Sequence, residues 1–106
     1  MGKVVIAVYR PREGKDEQLM AVVKEHLTIL RGQGLVTDRA SVVMRAKDGT
    51  IVEVFEWDSA EAIEEAHNND VVREMWARFD EACECKTLAD LEEAPELFPL
   101  FDPVEV

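Results

Sequence analysis

His67, His26, Glu53 and Arg45 are the side chains of this sequence best placed to move or hold a proton. Trp57 and Trp76 are the best able to enclose an apolar ligand. His67 stands between Ala66 and the pair Asn68-Asn69. There it can act as a general base if a bound substrate brings a proton within hydrogen-bond reach, with Asn68 as a neighbouring polar contact. It can equally bond a carbonyl at a helix end, where its charge would suit the helix dipole. His26 recurs with Leu19, Val23 and Leu30 at helical spacing. That position predicts a buried, hydrogen-bonded ring, with a catalytic role as the alternative. Arg45 and Glu53 fall at inward strand positions beside Val43, Ile51 and Phe55. A charge there must pair across the strands or face a wet cavity. Trp57 and Trp76, with Phe55, Phe79 and Met75, read either as plain core or as the lining of an aromatic pocket. Met44 is a further candidate wall.

The remaining chemistry-bearing residues exclude more than they suggest. Cys83 and Cys85 form neither a redox pair with two intervening residues nor a zinc set, so buried structural thiols are expected. Two histidines without clustered partners predict no metal site. No phosphate-cradling glycine loop and no serine-nucleophile elbow is present, so no flavin or nicotinamide is expected. The chain has 106 residues and a formal charge of −11. Its few cations are dispersed among acids, which argues against nucleic acid and anionic membrane as partners. No apolar run approaches a membrane span and no signal-peptide pattern opens the chain, so a cytoplasmic location is the default expectation.

The elements that must position these residues follow from periodicity. Lys3–Tyr9 alternates as a strand. Asp16–Arg31 has helical spacing and ends at Gly32 and Gly34. Arg39–Ala46 and Ile51–Trp57 flank Lys47-Asp48-Gly49-Thr50, a strong hairpin signal. Asp58-Ser59 caps a helix that breaks at Asn68-Asn69, with Asp70 as the next candidate cap. The stripe Val72, Met75, Trp76, Phe79 and Cys83 continues it, and a last short strand lies within Glu84–Leu88. The order β-α-β-β-α-β predicts an α+β, ferredoxin-like domain over residues 1–90 with a four-stranded antiparallel sheet. Residues 91–106 form an acidic tail too apolar for disorder, expected to pack on the domain or on a partner. Several strands are apolar on both faces. Helices cover one face, and a second copy of the sheet is the simplest cover for the other.

The segment Val52-Glu53-Val54-Phe55-Glu56-Trp57-Asp58-Ser59, then Glu61-Ala62-Ile63, Ala66-His67-Asn68-Asn69, Val72 and Trp76, resembles the antibiotic biosynthesis monooxygenase-like domains of the dimeric α/β-barrel superfamily. The likeness spans roughly residues 3–90 and lies in residue types rather than in a catalytic signature. It implies a homodimer in which two ferredoxin-like protomers join sheet to sheet as a barrel. It further implies a cofactor-independent monooxygenase-like enzyme acting on an aromatic or apolar small molecule. His67 would be the base, and Trp57, Trp76 and Met44 the walls. Haem-degrading members carry an Asn, a Trp and a His at positions that fall near Ala7, Ala66 and Trp76, so that reaction is not expected. The alternative is a non-catalytic ligand-binding or interaction module of the same fold, its barrel filled by its own side chains.

Overall fold

Ser59 and Asn69 decide where two of the helices begin. Each is extended and accepts a hydrogen bond from the amide three residues on, Ser59 from Ala62 and Asn69 from Val72. This satisfies a donor that the first turn otherwise leaves orphaned. The cap of the later helix is thus Asn69 rather than Asp70. Asp70 occupies the first turn instead, where its charge complements the dipole.

In the computed structural model, which describes residues 1–106, the elements run β1 (Lys3–Pro11), α1 (Asp16–Gly32), β2 (Val42–Arg45), β3 (Ile51–Trp57), α2 (Ala60–His67), α3 (Asp70–Ala82), β4 (Cys83–Lys86) and β5 (Asp102–Pro103), with a short 3₁₀ turn at Leu88–Asp90. Helix α1 ends with Gly34 at φ 72° and the Leu35 amide bonded back to the Leu30 carbonyl, a left-handed stop that glycine adopts without strain. The hairpin closes where Gly49 sits at φ 93° and Asp48 Oδ1 accepts from the Thr50 amide.

The sheet is antiparallel and open, in the order β4-β1-β3-β2-β5. The arrangement is compatible with a ferredoxin-like fold. It has five strands, not four. The extra one comes from the C-terminal segment, whose Asp102–Pro103 pairs with Met44 and Arg45 at the edge of β2. Strand β4 starts at Cys83, which helical spacing had assigned to the preceding stripe. No helix is long and apolar enough to cross a membrane.

Register puts Val5, Ala7 and Tyr9 of β1, Val43 of β2, and Ile51, Phe55 and Trp57 of β3 on the face under the helices. There they meet Leu19, Val22, Leu30, Val72, Met75 and Phe79. Burying each such side chain contributes about 1.5–3 kcal/mol, so this layer dominates the stability of the fold. The other face carries a smaller cluster, Val8, Ala46, Val52 and Leu91, with Met44 and Phe101 packed against it. Val4, Ile6 and Val42 on that same face stay exposed, at 60%, 47% and 56%.

Candidate active site

Three elements bring a tyrosine, a histidine and a glutamate together beneath the helices. β1 supplies Tyr9, α1 supplies His26 and β3 supplies Glu53. Glu53 Oε1 lies 2.7 Å from His26 Nδ1 and accepts the Tyr9 hydroxyl at 2.9 Å. Glu53 is 1% exposed and His26 3%. No Lys or Arg pairs with Glu53; its one ionic partner is His26. Sealing a carboxylate from water on these terms costs on the order of several kcal/mol, and a well-packed apolar residue would avoid the cost. A buried ionisable pair of this kind marks the spot as a candidate for chemistry.

The tautomer follows from the acceptor. A carboxylate only accepts, so the Tyr9 hydroxyl and the His26 Nδ1–H both donate to it. The Nδ1 bond is the one hydrogen bond the His26 side chain makes. A neutral ring held this way keeps its Nε2 lone pair free. His26 lines a cavity of about 320 Å³ together with Tyr9, Phe55, Trp57, Trp76 and Phe79. Val5, Ala7, Asp80 and Cys85 complete the wall. The ring is fixed between Phe55 and Phe79, edge to face, with centroids 5.1 Å and 4.9 Å away. Phe79 in turn stacks, tilted, on Tyr9 at 4.9 Å. An apolar, aromatic chamber with one positioned base is suited to taking a proton from a flat, hydroxylated ring.

The structure distributes the sequence-derived candidates over several places. Trp57 and Trp76 line the cavity; Glu53 is not part of its wall and touches it only through its hydrogen bonds to Tyr9 and His26. Glu53 and Arg45 do not pair. Register sets Val43 opposite Glu53 and Ile51 opposite Arg45, and Arg45 stays exposed without an ionic partner. Met44 is on the opposite face of the sheet, in a groove of about 510 Å³ under the C-terminal segment. His67 is exposed, its Nδ1 bonded to the Ile63 carbonyl at 2.8 Å; its ring meets Trp76 edge-on at 5.0 Å but is not part of the cavity wall. Asn68 is exposed at the end of α2 and donates to the Glu64 carbonyl at 3.3 Å. Of the two histidines, the one that reaches the aromatic walls is therefore His26. Its partner Glu53 lies 27 positions along the chain. The signal in the sequence was that both are ionisable side chains on apolar faces, each in need of a partner that its own element does not provide.

Comparison with protein-family models, with curated proteins and with solved structures finds no match. No group of three or more His, Cys, Asp or Glu side chains gathers in a way that would hold a metal ion. The cavity is accordingly read from its own chemistry.

Two acids of this region are held in their protonated form. Burial, reinforced by the Glu53 charge, pushes the Tyr9 hydroxyl well above its ordinary 10.0. Burial pushes the neighbouring Cys83 thiol from 9.0 up to about 12. Because both values are raised on folding, their contribution to stability is complete below about pH 9. It is lost as pH rises, since the unfolded chain then releases protons that the folded chain keeps. The urea midpoint should fall between about pH 9 and pH 12, and Tyr9→Phe should flatten that fall. A midpoint that holds or rises over this range would contradict the assignment.

Proposed function

We propose that this chain is a cofactor-independent, monooxygenase-like enzyme acting on a hydroxylated aromatic molecule, as its resemblance to the antibiotic biosynthesis monooxygenase-like domains implies. The observation that carries the reading is the His26 ring, anchored through Nδ1 to buried Glu53 and lining an aromatic cavity. His26 takes the place in this scheme that the sequence assigns to His67, the histidine outside the apolar stripe of the first helix.

The chemistry asks little of the protein. His26 Nε2 removes the proton of a bound phenol, and Glu53 stabilises the imidazolium that forms. The phenolate is then electron-rich enough to reduce dioxygen itself. A ring carbon forms a bond to one oxygen atom, and the second oxygen takes up a proton to give a hydroperoxide. Loss of water from that adduct leaves the quinone. The substrate is oxidised, dioxygen is reduced, one oxygen enters the product and the other leaves as water. The aromatic walls exclude bulk water from the reactive anion.

The reading includes a homodimer. Exposed Val4, Ile6 and Val42 on the open sheet face support it, as do Leu97, Phe98 and Leu100 of the C-terminal segment, each more than four-fifths exposed. An isologous sheet-to-sheet contact would cover the exposed valines and isoleucine of both copies with one symmetry operation.

The direct test is oxygen uptake by purified protein given hydroxylated mono- and polycyclic aromatics with no added cofactor or metal. Uptake with quinone formation is expected. Binding of such compounds without uptake would favour a ligand-binding module instead.

A further inference from the structure

The cavity offers no cation to a ligand. Its wall contains neither Lys nor Arg, and its one carboxylate is the exposed Asp80, Glu53 lying outside the wall behind His26 and Tyr9. A substrate carrying a carboxylate or phosphate would have to bring its charge in unpaired. Arg12, which contacts the backbone of Asp80, is already committed. Its Nε donates to the backbone carbonyl of Asp80 and its Nη1 pairs with Glu84. The Asp80 side chain enters no ion pair and no hydrogen bond with the protein. Asp80 also stands in the last turn of α3, where no basic residue offsets it and the dipole disfavours an acid. One helical turn earlier, on the same side of α3, Trp76 presents its ring to the same cavity.

We propose that Trp76 and Asp80 together form a subsite for an ammonium group, and that the substrate class is an amine-bearing hydroxyaromatic. The cation lies against the indole face and pairs with the carboxylate, while the hydroxyl end reaches His26 and Tyr9. A ring face and a free carboxylate at helical spacing are the elements that recognise alkylammonium ions. The net charge of −11 adds a field that draws cations and repels anions. This assignment rests on reading the cavity as the active site, but it concerns binding and is tested without turnover.

Calorimetric titration with para-ethylphenol, tyramine and para-hydroxyphenylacetate varies only the charge at one end of a common phenol. Tyramine should bind roughly 5- to 10-fold more tightly than para-ethylphenol, and the carboxylate should bind most weakly. Asp80→Asn should remove most of the tyramine advantage, leaving only what the Trp76 ring supplies, and should change para-ethylphenol little. Asp80 is exposed and its side chain holds nothing in the fold, so the variant should fold normally. Circular dichroism checks this, and raised salt on the unaltered protein should shrink the tyramine advantage independently. Equal affinity for tyramine and para-ethylphenol, a preference undiminished by Asp80→Asn, or binding of none of the three compounds would each overturn the proposal. Selective tyramine binding that depends on Asp80, with no oxygen uptake on any phenol, would uphold the ammonium subsite and refute the oxygenase reading. Oxygen uptake without amine preference would do the reverse.

Discussion

Replacing His26 with Gln should lower kcat about 10²- to 10⁴-fold on any hydroxyaromatic that the protein turns over, the usual worth of a positioned general base. An amide can still hydrogen-bond Glu53, so the fold should survive and the affinity for the ring should change little. Glu53→Gln separates positioning from proton transfer. Glutamine can donate to Nδ1, which shifts the ring proton to Nε2 and removes the lone pair the reaction needs. Turnover should fall by a similar factor while KM barely moves. Stability should hold or rise, because an expensive buried charge has been removed. A purely structural Glu53 would give the opposite split, with stability lost and kcat kept. His67→Ala is the companion variant. With its Nδ1 on the Ile63 carbonyl and its ring outside the cavity wall, its loss should change kcat only a few-fold. If His67→Ala abolishes turnover and His26→Gln spares it, the base is His67 and the present assignment fails.

The second large effect concerns the two faces of the sheet. Val43 and Val54 lie on paired strands, yet Val43 belongs to the core under the helices and Val54 points to the open face. Val43→Asp places an unpaired carboxylate where the valine is 4% exposed. A cost of several kcal/mol is a large share of the roughly 5–15 kcal/mol that holds a domain of this kind together. The chain should lose its cooperative melt. Val54→Asp should cost less and leave the protomer folded, since Val54 is only half-buried, in the groove under the C-terminal segment, but it should halve the mass measured by light scattering. The unaltered protein should scatter as twice the chain mass at micromolar concentration. A dimer that tolerates Val54→Asp, or an unaltered protein that runs as a monomer, would exclude a partner on this face.

Much of the fold was legible before any coordinates. Alternation in Lys3–Tyr9 and Ile51–Trp57, the Asp48-Gly49 turn and the Ser59 cap are local signals, and local sterics and capping bonds suffice to read them. The break at Asn68-Asn69 was legible too, although the cap proved to be Asn69: Asn and Asp satisfy the same orphan amide, and adjacent positions cannot be told apart by type. The fifth strand was not legible. Asp102–Pro103 has no periodicity of its own and becomes a strand only because β2 offers it an open edge.

The same division holds for the candidate site. By itself the sequence placed several side chains on inward faces correctly, although Arg45, read as inward, is exposed. His26 sits on the apolar stripe of α1, Glu53 on the inner row of β3, and Trp57 and Trp76 on buried-facing positions. Only the tertiary structure decided which of them meet. The contact of Nδ1 with Oε1 closes a loop between a helix and a strand from separate parts of the chain, and no period of 2 or 3.6 encodes that distance. It also decided that Met44, one residue from inward-facing Val43, serves the other face. A strand sends successive side chains to opposite sides, and which side becomes the cavity depends on where the helices pack.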